Sequence, residues 1–127
     1  MKTLSEEFFS ITNRPKTDKH EWLYLVFNNY TKLVKIGITT NYDRRMREIA
    51  NNNGIEIQNL ISIQLEAECD EPAAYIEKFL HDKFKHKRKK GEWFNLSAKE
   101  YLSIRNLIHA IDGIDIYEAV TIENYLN

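Results

Sequence analysis

Four side chains able to carry chemistry, Tyr24, Lys35, Arg45 and Glu77, are spread over the middle of a 127-residue chain. A phenol ordinarily titrates near ~10, so Tyr24 acts as a base at neutral pH only if something favours its anion. Lys35 does so if a short-turned hairpin sets it nearly opposite Tyr24, because a nearby ammonium favours phenolate over phenol. The guanidinium of Arg45, with Arg44 and Arg47 around it, suits phosphate oxygens. Glu77 falls on the border of an apolar helical stripe, where a half-buried carboxylate needs a cation, a donor or a metal. Base, phosphate clamp and metal ligand together form a set suited to phosphodiester hydrolysis. Tyr24 as packing and Arg45 as helix surface are the plainer readings.

Other residues extend the set. His81, one turn beyond Glu77, reads as a donor behind a ligand, a proton shuttle or a capped core histidine. A zinc site on Glu77 and His81 has no further ligand at a fitting spacing. The run Lys85-His86-Lys87-Arg88-Lys89-Lys90 is the densest charge in the chain. It reads as a solvated loop or as a track for a nucleic-acid backbone. Trp93 and Phe94 beside it read as core anchors, with base stacking as the minority alternative. Charge is distributed unevenly: residues 32–90 hold twelve bases and nine acids, and residues 91–127 hold two bases and six acids. A basic middle on a chain of net charge −1 is compatible with a polyanion partner.

These residues need elements to position them. Glu21–Asn28 and Leu33–Thr39 are aromatic and branched, and the polar run between them predicts an antiparallel hairpin. Alternation puts Leu23, Leu25, Phe27, Val34, Ile36 and Ile38 on a core face. Trp22, Tyr24, Val26, Leu33, Lys35, Gly37 and Thr39 share the other. Gly37 there lets a substrate backbone approach the sheet, or marks a bend or bulge. Asn41 caps a helix over Tyr42–Asn51 that stops near Asn53-Gly54. Its crowded arginines oppose the helix dipole, so at least one needs another partner. Ile55–Ala67 reads as a third strand, bent at Asn59. Asp70-Glu71-Pro72 opens a helix to about Phe84 with Ala73, Ile76, Phe79, Leu80 and Phe84 as its stripe. Ser97 caps a helix to about Asp112 that offers Leu102, Ile104, Leu107, Ile108 and Ile111 to the core. Residues 1–19 are expected as a mobile lead-in and residues 113–127 as an acidic segment adding a strand or short helix.

The hydrophobic fraction of 43% argues against wholesale disorder, and one cysteine rules out an internal disulfide framework. No apolar run is long enough to cross a bilayer and the first residues lack a secretory core, so a cytoplasmic location and no membrane partner are expected.

In order and spacing, these residues resemble the GIY-YIG endonuclease superfamily, most of all the small branch of phage and mobile-element frames with KIG(I/Y)T and a late E…H…EWF string. Trp22-Leu23-Tyr24 stands where the first triplet would be and Lys35-Ile36-Gly37 where the second would be. The family arginine falls on Arg45 and the family metal-binding glutamate on Glu77. His81 and Glu92-Trp93-Phe94 fit the branch, and Asn95 is the candidate for a late asparagine. The first triplet keeps only its tyrosine, and the second carries lysine for tyrosine. The resemblance implies an α+β domain over 20–112, a small, mainly antiparallel three-stranded sheet flanked by helices. It implies a DNA endonuclease with one Mg²⁺ or Mn²⁺ on Glu77, with RNA left open as substrate. Arg44, Arg47, Lys85, Lys87, Arg88, Lys89 and Lys90 would hold the nucleic acid. The alternative is a domain of the same fold without cleavage that binds nucleic acid or protein.

Overall fold

The computed structural model describes residues 2–15, 21–54, 60–67, 73–111 and 114–118. Strand β1 (Trp22–Asn28) and strand β2 (Val34–Thr39) form the hairpin that alternation requires. Asn28 anchors the turn: it is buried, and its side-chain oxygen accepts from the N–H groups of Tyr30 and Thr31, an Asx turn. Helix α2 (Tyr42–Asn52) starts where Asn41 accepts the Arg44 N–H at 3.1 Å. Strand β3 (Leu60–Ala67) pairs antiparallel with β1. Helix α3 (Ala73–Lys83) follows, then a short 3-10 turn, Lys85–Lys87, strand β4 (Arg88–Lys90) and strand β5 (Trp93–Phe94). Helix α4 (Ala98–Ala110) begins in a reciprocal cap between Ser97 and Glu100, and strand β6 (Ile114–Glu118) pairs with β3. The expected opening of α3 at Asp70-Glu71-Pro72, the bend at Asn59 and the tail beyond residue 118 lie outside the described residues.

The result is an α+β fold, an antiparallel sheet flanked by helices. The sheet has six strands in the order β4-β5-β2-β1-β3-β6, not the three expected. The central β2-β1-β3 trio is the expected one. The added strands are two to five residues long, too short to show a clear alternation of their own.

The two faces of the hairpin sort as alternation dictates. Leu23, Leu25, Phe27, Val34 and Ile36 enter the main core with Ile76 and Leu80 of α3 and Tyr101, Ile104 and Leu107 of α4. On α4 the buried aromatic is Tyr101, and Leu102 is only half buried. On the opposite face Tyr24 and Val26 pack beneath Met46 and Ile49 of α2, with Tyr42 and Trp93 at the margin. Helix α1 (Leu4–Phe9) lies in the stretch expected as a mobile lead-in, yet Phe8 is fully buried in the main core against Phe79 and Tyr75. Lys83 of α3 closes on Glu7 at 2.7 Å. An aromatic ring that finds two others to pack on is reason enough for a six-residue helix to dock. Residues 16–20 of that stretch lie outside the described residues.

Candidate active site

The site forms where β2 runs out of a partner. Strand β5 covers β2 only at Val34 and Lys35, and the Ile36 N–H still reaches the Glu92 carbonyl at 3.2 Å. The Ile36 carbonyl leaves the same edge, and among the described residues no strand meets it there. His81 of α3 takes that place, with Nε2 at 2.8 Å from the oxygen. A carbonyl accepts only, so Nε2 is the donor, and Nδ1 is the nitrogen that this carbonyl does not engage. The ring also packs edge-on against Phe94 at 5.0 Å. His81 is thus held as a core histidine would be, with one nitrogen left for other use.

Around this edge three ligand-type side chains converge. Glu77, His81 and Glu92 each offer one ligand atom, and the three atoms lie within 4.8 Å of one another. Glu77 and His81 are four apart on α3 and so share a face. Glu92 comes from the turn between β4 and β5. It is the third ligand-type side chain, which spacing alone did not supply. The E-W-F string did single Glu92 out, but nothing local assigned it to Glu77. All three are half buried. Burial, and then the charge of Glu92, pushes the Glu77 carboxyl above the ordinary carboxylate range, against His81 and Lys35.

Lys35 belongs to this cluster rather than to the tyrosine. The hairpin register sets Tyr24 opposite Gly37 and Lys35 opposite Val26. The Lys35 ammonium sits 3.3 Å from the Glu92 carboxylate and over the Trp93 ring. The expectation that Lys35 lowers the Tyr24 pKa is therefore corrected. Arg45 stands beside the phenol instead, its Nε donating to Tyr24 Oη at 3.2 Å. This is the partner that the crowded arginines of α2 required. Its other arm donates to Glu48 at 3.1 Å, while Arg44 also leans on Glu48. Burial still raises the Tyr24 phenol above its ordinary 10.0, outweighing Arg45, and the charges of Glu92 and Glu77 push the same way. Those two carboxylates lie within electrostatic reach of the phenol.

Gly37 carries a second correction. No substrate backbone has to approach it, because the Tyr24 ring itself lies across it. A Cβ there would stand 2.3 Å from Tyr24 Oη. Asn95 is exposed beyond β5, where its N–H closes a loop on the Lys87 carbonyl, and it does not join the cluster. Arg44, Arg47, Lys85, Arg88, Lys89 and Lys90 are exposed, while Lys87 is drawn toward Glu100 at 3.5 Å. Phe94 is a core anchor with no exposure, and Trp93 is half buried at the rim of the second cluster.

Two carboxylates and one imidazole nitrogen, opposed by a single ammonium, make a donor set that fits a divalent cation. Metal and proton then compete for Glu77. With its pKa raised, the metal-free protein gains stability from protonated Glu77 at low pH, and loses it as pH rises through the folded-state value. Saturating Mn²⁺ should therefore raise the melting temperature most at neutral pH. A hundredfold excess over Kd is worth about 2.7 kcal/mol, roughly 10 °C for a chain of this size. The rise should shrink as pH falls toward the ordinary carboxylate range. Thermal melts across that range check both signs.

No curated protein and no solved structure matches the chain. The T5orf172 domain matches residues 21–109, from the start of the hairpin to the end of α4. By that match over most of its length the chain belongs to the T5orf172 domain family, which is related to the GIY-YIG nuclease superfamily.

Proposed function

We propose that this domain is a metal-dependent endonuclease of the small GIY-YIG type that hydrolyses phosphodiester bonds in DNA. The observation that carries the reading is the convergence of Glu77, His81 and Glu92, two of whose carboxylates lie within electrostatic reach of the Tyr24 phenol that Arg45 holds. Glu77 and Glu92, with His81 through Nδ1, would hold a divalent cation. The nitrogen donor suits Mn²⁺ better than Mg²⁺, which prefers oxygen ligands and keeps its waters. When bound, the ion supplies Lewis acidity toward the leaving oxygen and a positive charge near the phenol.

The chain's own residues do the rest. Arg45 donates to a non-bridging oxygen of the scissile phosphate with the arm now turned to Glu48. Its Nε stays on Tyr24 Oη and favours the phenolate. Tyr24, as phenolate, takes the proton of the attacking water. Lys35 offsets the charge of Glu92 at 3.3 Å and would offer its ammonium to the substrate's phosphate. The exposed bases of α2 and β4 track the backbone on either side, and phosphate contacts of this kind weaken steeply with salt.

Because the resting phenol is neutral, the base is a minor species at pH 7. The logarithm of the nicking rate should rise with pH at a slope near one until the phenol titrates. Tyr24→Phe should lower the rate by about 10²- to 10⁴-fold, the usual worth of a general base. The test is nicking of supercoiled plasmid with Mn²⁺, stopped by EDTA. If the wild type leaves the plasmid intact at every pH and metal but still binds DNA, the domain is a binding module. If Tyr24→Phe nicks as fast as the wild type, the phenol is not the base.

A further inference from the structure

A cleft of about 500 Å³ opens from the site toward the hairpin turn. Its near end is Lys35 and Arg45, its walls include Leu33, Ile49 and Trp93, and Asn52 lines its far side. Its volume is in the range of pockets that hold small ligands, about 300–1,000 Å³. The chemistry changes along its length. Lys35 and Arg45 stand where the cleft meets the site, beside the Glu92 carboxylate that pairs with Lys35, apolar surface follows, and an exposed carboxamide on the last residue of α2 comes at the end. A nucleotide has the same sequence of groups: an anionic phosphate, a flat base and a base edge with donors and acceptors. A cleft of this volume suits one unstacked nucleotide better than a base-paired duplex.

Resting on the endonuclease reading, we propose that this cleft is a subsite for one unstacked nucleotide adjoining the phosphate to be cut, with Asn52 reading the edge of its base. A carboxamide offers one donor and one acceptor side by side, and the N6 and N7 edge of adenine is its best match. Taking a base out of a duplex is least costly where the base is already unpaired. DNA with a one-nucleotide adenine bulge next to the cut is therefore the favoured substrate.

Two measurements separate this inference from the reading beneath it. The first is titration of the metal-free protein with deoxyadenosine 5′-monophosphate, followed by amide chemical shifts. Shifts at Leu33 and Asn52 are expected, and Asn52→Trp, which fills the cleft from an exposed helix end, should remove them. An absence of shifts there, or shifts confined to other surfaces, overturns the subsite. The second is Mn²⁺-dependent cleavage of a bulged duplex beside a continuous one. The wild type should prefer the bulge by about tenfold, and Asn52→Trp should lose that preference while melting like the wild type. Equal rates on both substrates overturn the subsite and leave the nuclease standing. Nucleotide binding in the cleft without cleavage of either duplex supports the subsite and removes the nuclease.

Discussion

Glu77→Ala is expected to abolish metal-dependent nicking while the protein stays folded. Glu77 is half buried, and burial disfavours its charge. Without metal, its removal relieves a like-charge encounter with Glu92, so the metal-free melting temperature at neutral pH should be unchanged or slightly higher. The Mn²⁺-induced rise in melting temperature should vanish with the activity. Partners that merely orient a ligand already cost 10–100-fold when lost, so loss of a ligand should cost at least about a hundredfold. Glu92→Ala removes a ligand and also strands Lys35 without its 3.3 Å partner, but leaves Glu77 and His81 in place. It should weaken Mn²⁺ binding and require more metal for the same rate. Plasmid nicking over an Mn²⁺ series reads both. Undiminished nicking by Glu77→Ala would refute the metal assignment.

Among the described glycines, Gly37→Ala should be the most damaging replacement. The added carbon would lie 2.3 Å from Tyr24 Oη and 2.5 Å from Cζ. The ring has little room to yield, since Tyr24 is 1% exposed and packs with Val26, Met46 and Ile49. Overpacking of this kind costs about 1–3 kcal/mol, and it pushes the hydroxyl off Arg45, so activity falls with stability. Tyr24→Ala clears the space. In a double-mutant cycle, Gly37→Ala should cost much less in the Tyr24→Ala background than alone. Chemical denaturation of the four proteins measures the coupling. Additive losses would mean that the ring and the glycine do not interact.

That pair shows what could be read from residues and what could not. Alternation placed Tyr24, Lys35 and Gly37 on one face, and the structure keeps them there. Which residue stands opposite Tyr24 is set by the turn, and a shift of two residues moves every pair while leaving both faces unchanged. Lys35 was therefore assigned the right side of the sheet and the wrong neighbour. The caps at Asn41 and Ser97 and the apolar stripe of α3 were legible because each is written within a few residues. Glu92 was not legible as a partner of Glu77, since it reaches Glu77 only through a two-residue strand pairing on β2. The docking of Phe8 is non-local in the same way. The raised phenol was hidden too, because desolvation depends on everything packed around a group and not on its neighbours in the chain.

One boundary of the sheet is made of Arg88, Lys89 and Lys90, all exposed, in strand β4. An outermost strand invites another chain to add to it, and lysines along it discourage that. The three charges thus guard this edge of the sheet. Replacing these three cations with apolar residues should therefore leave β4 open to pairing with a second copy of the chain.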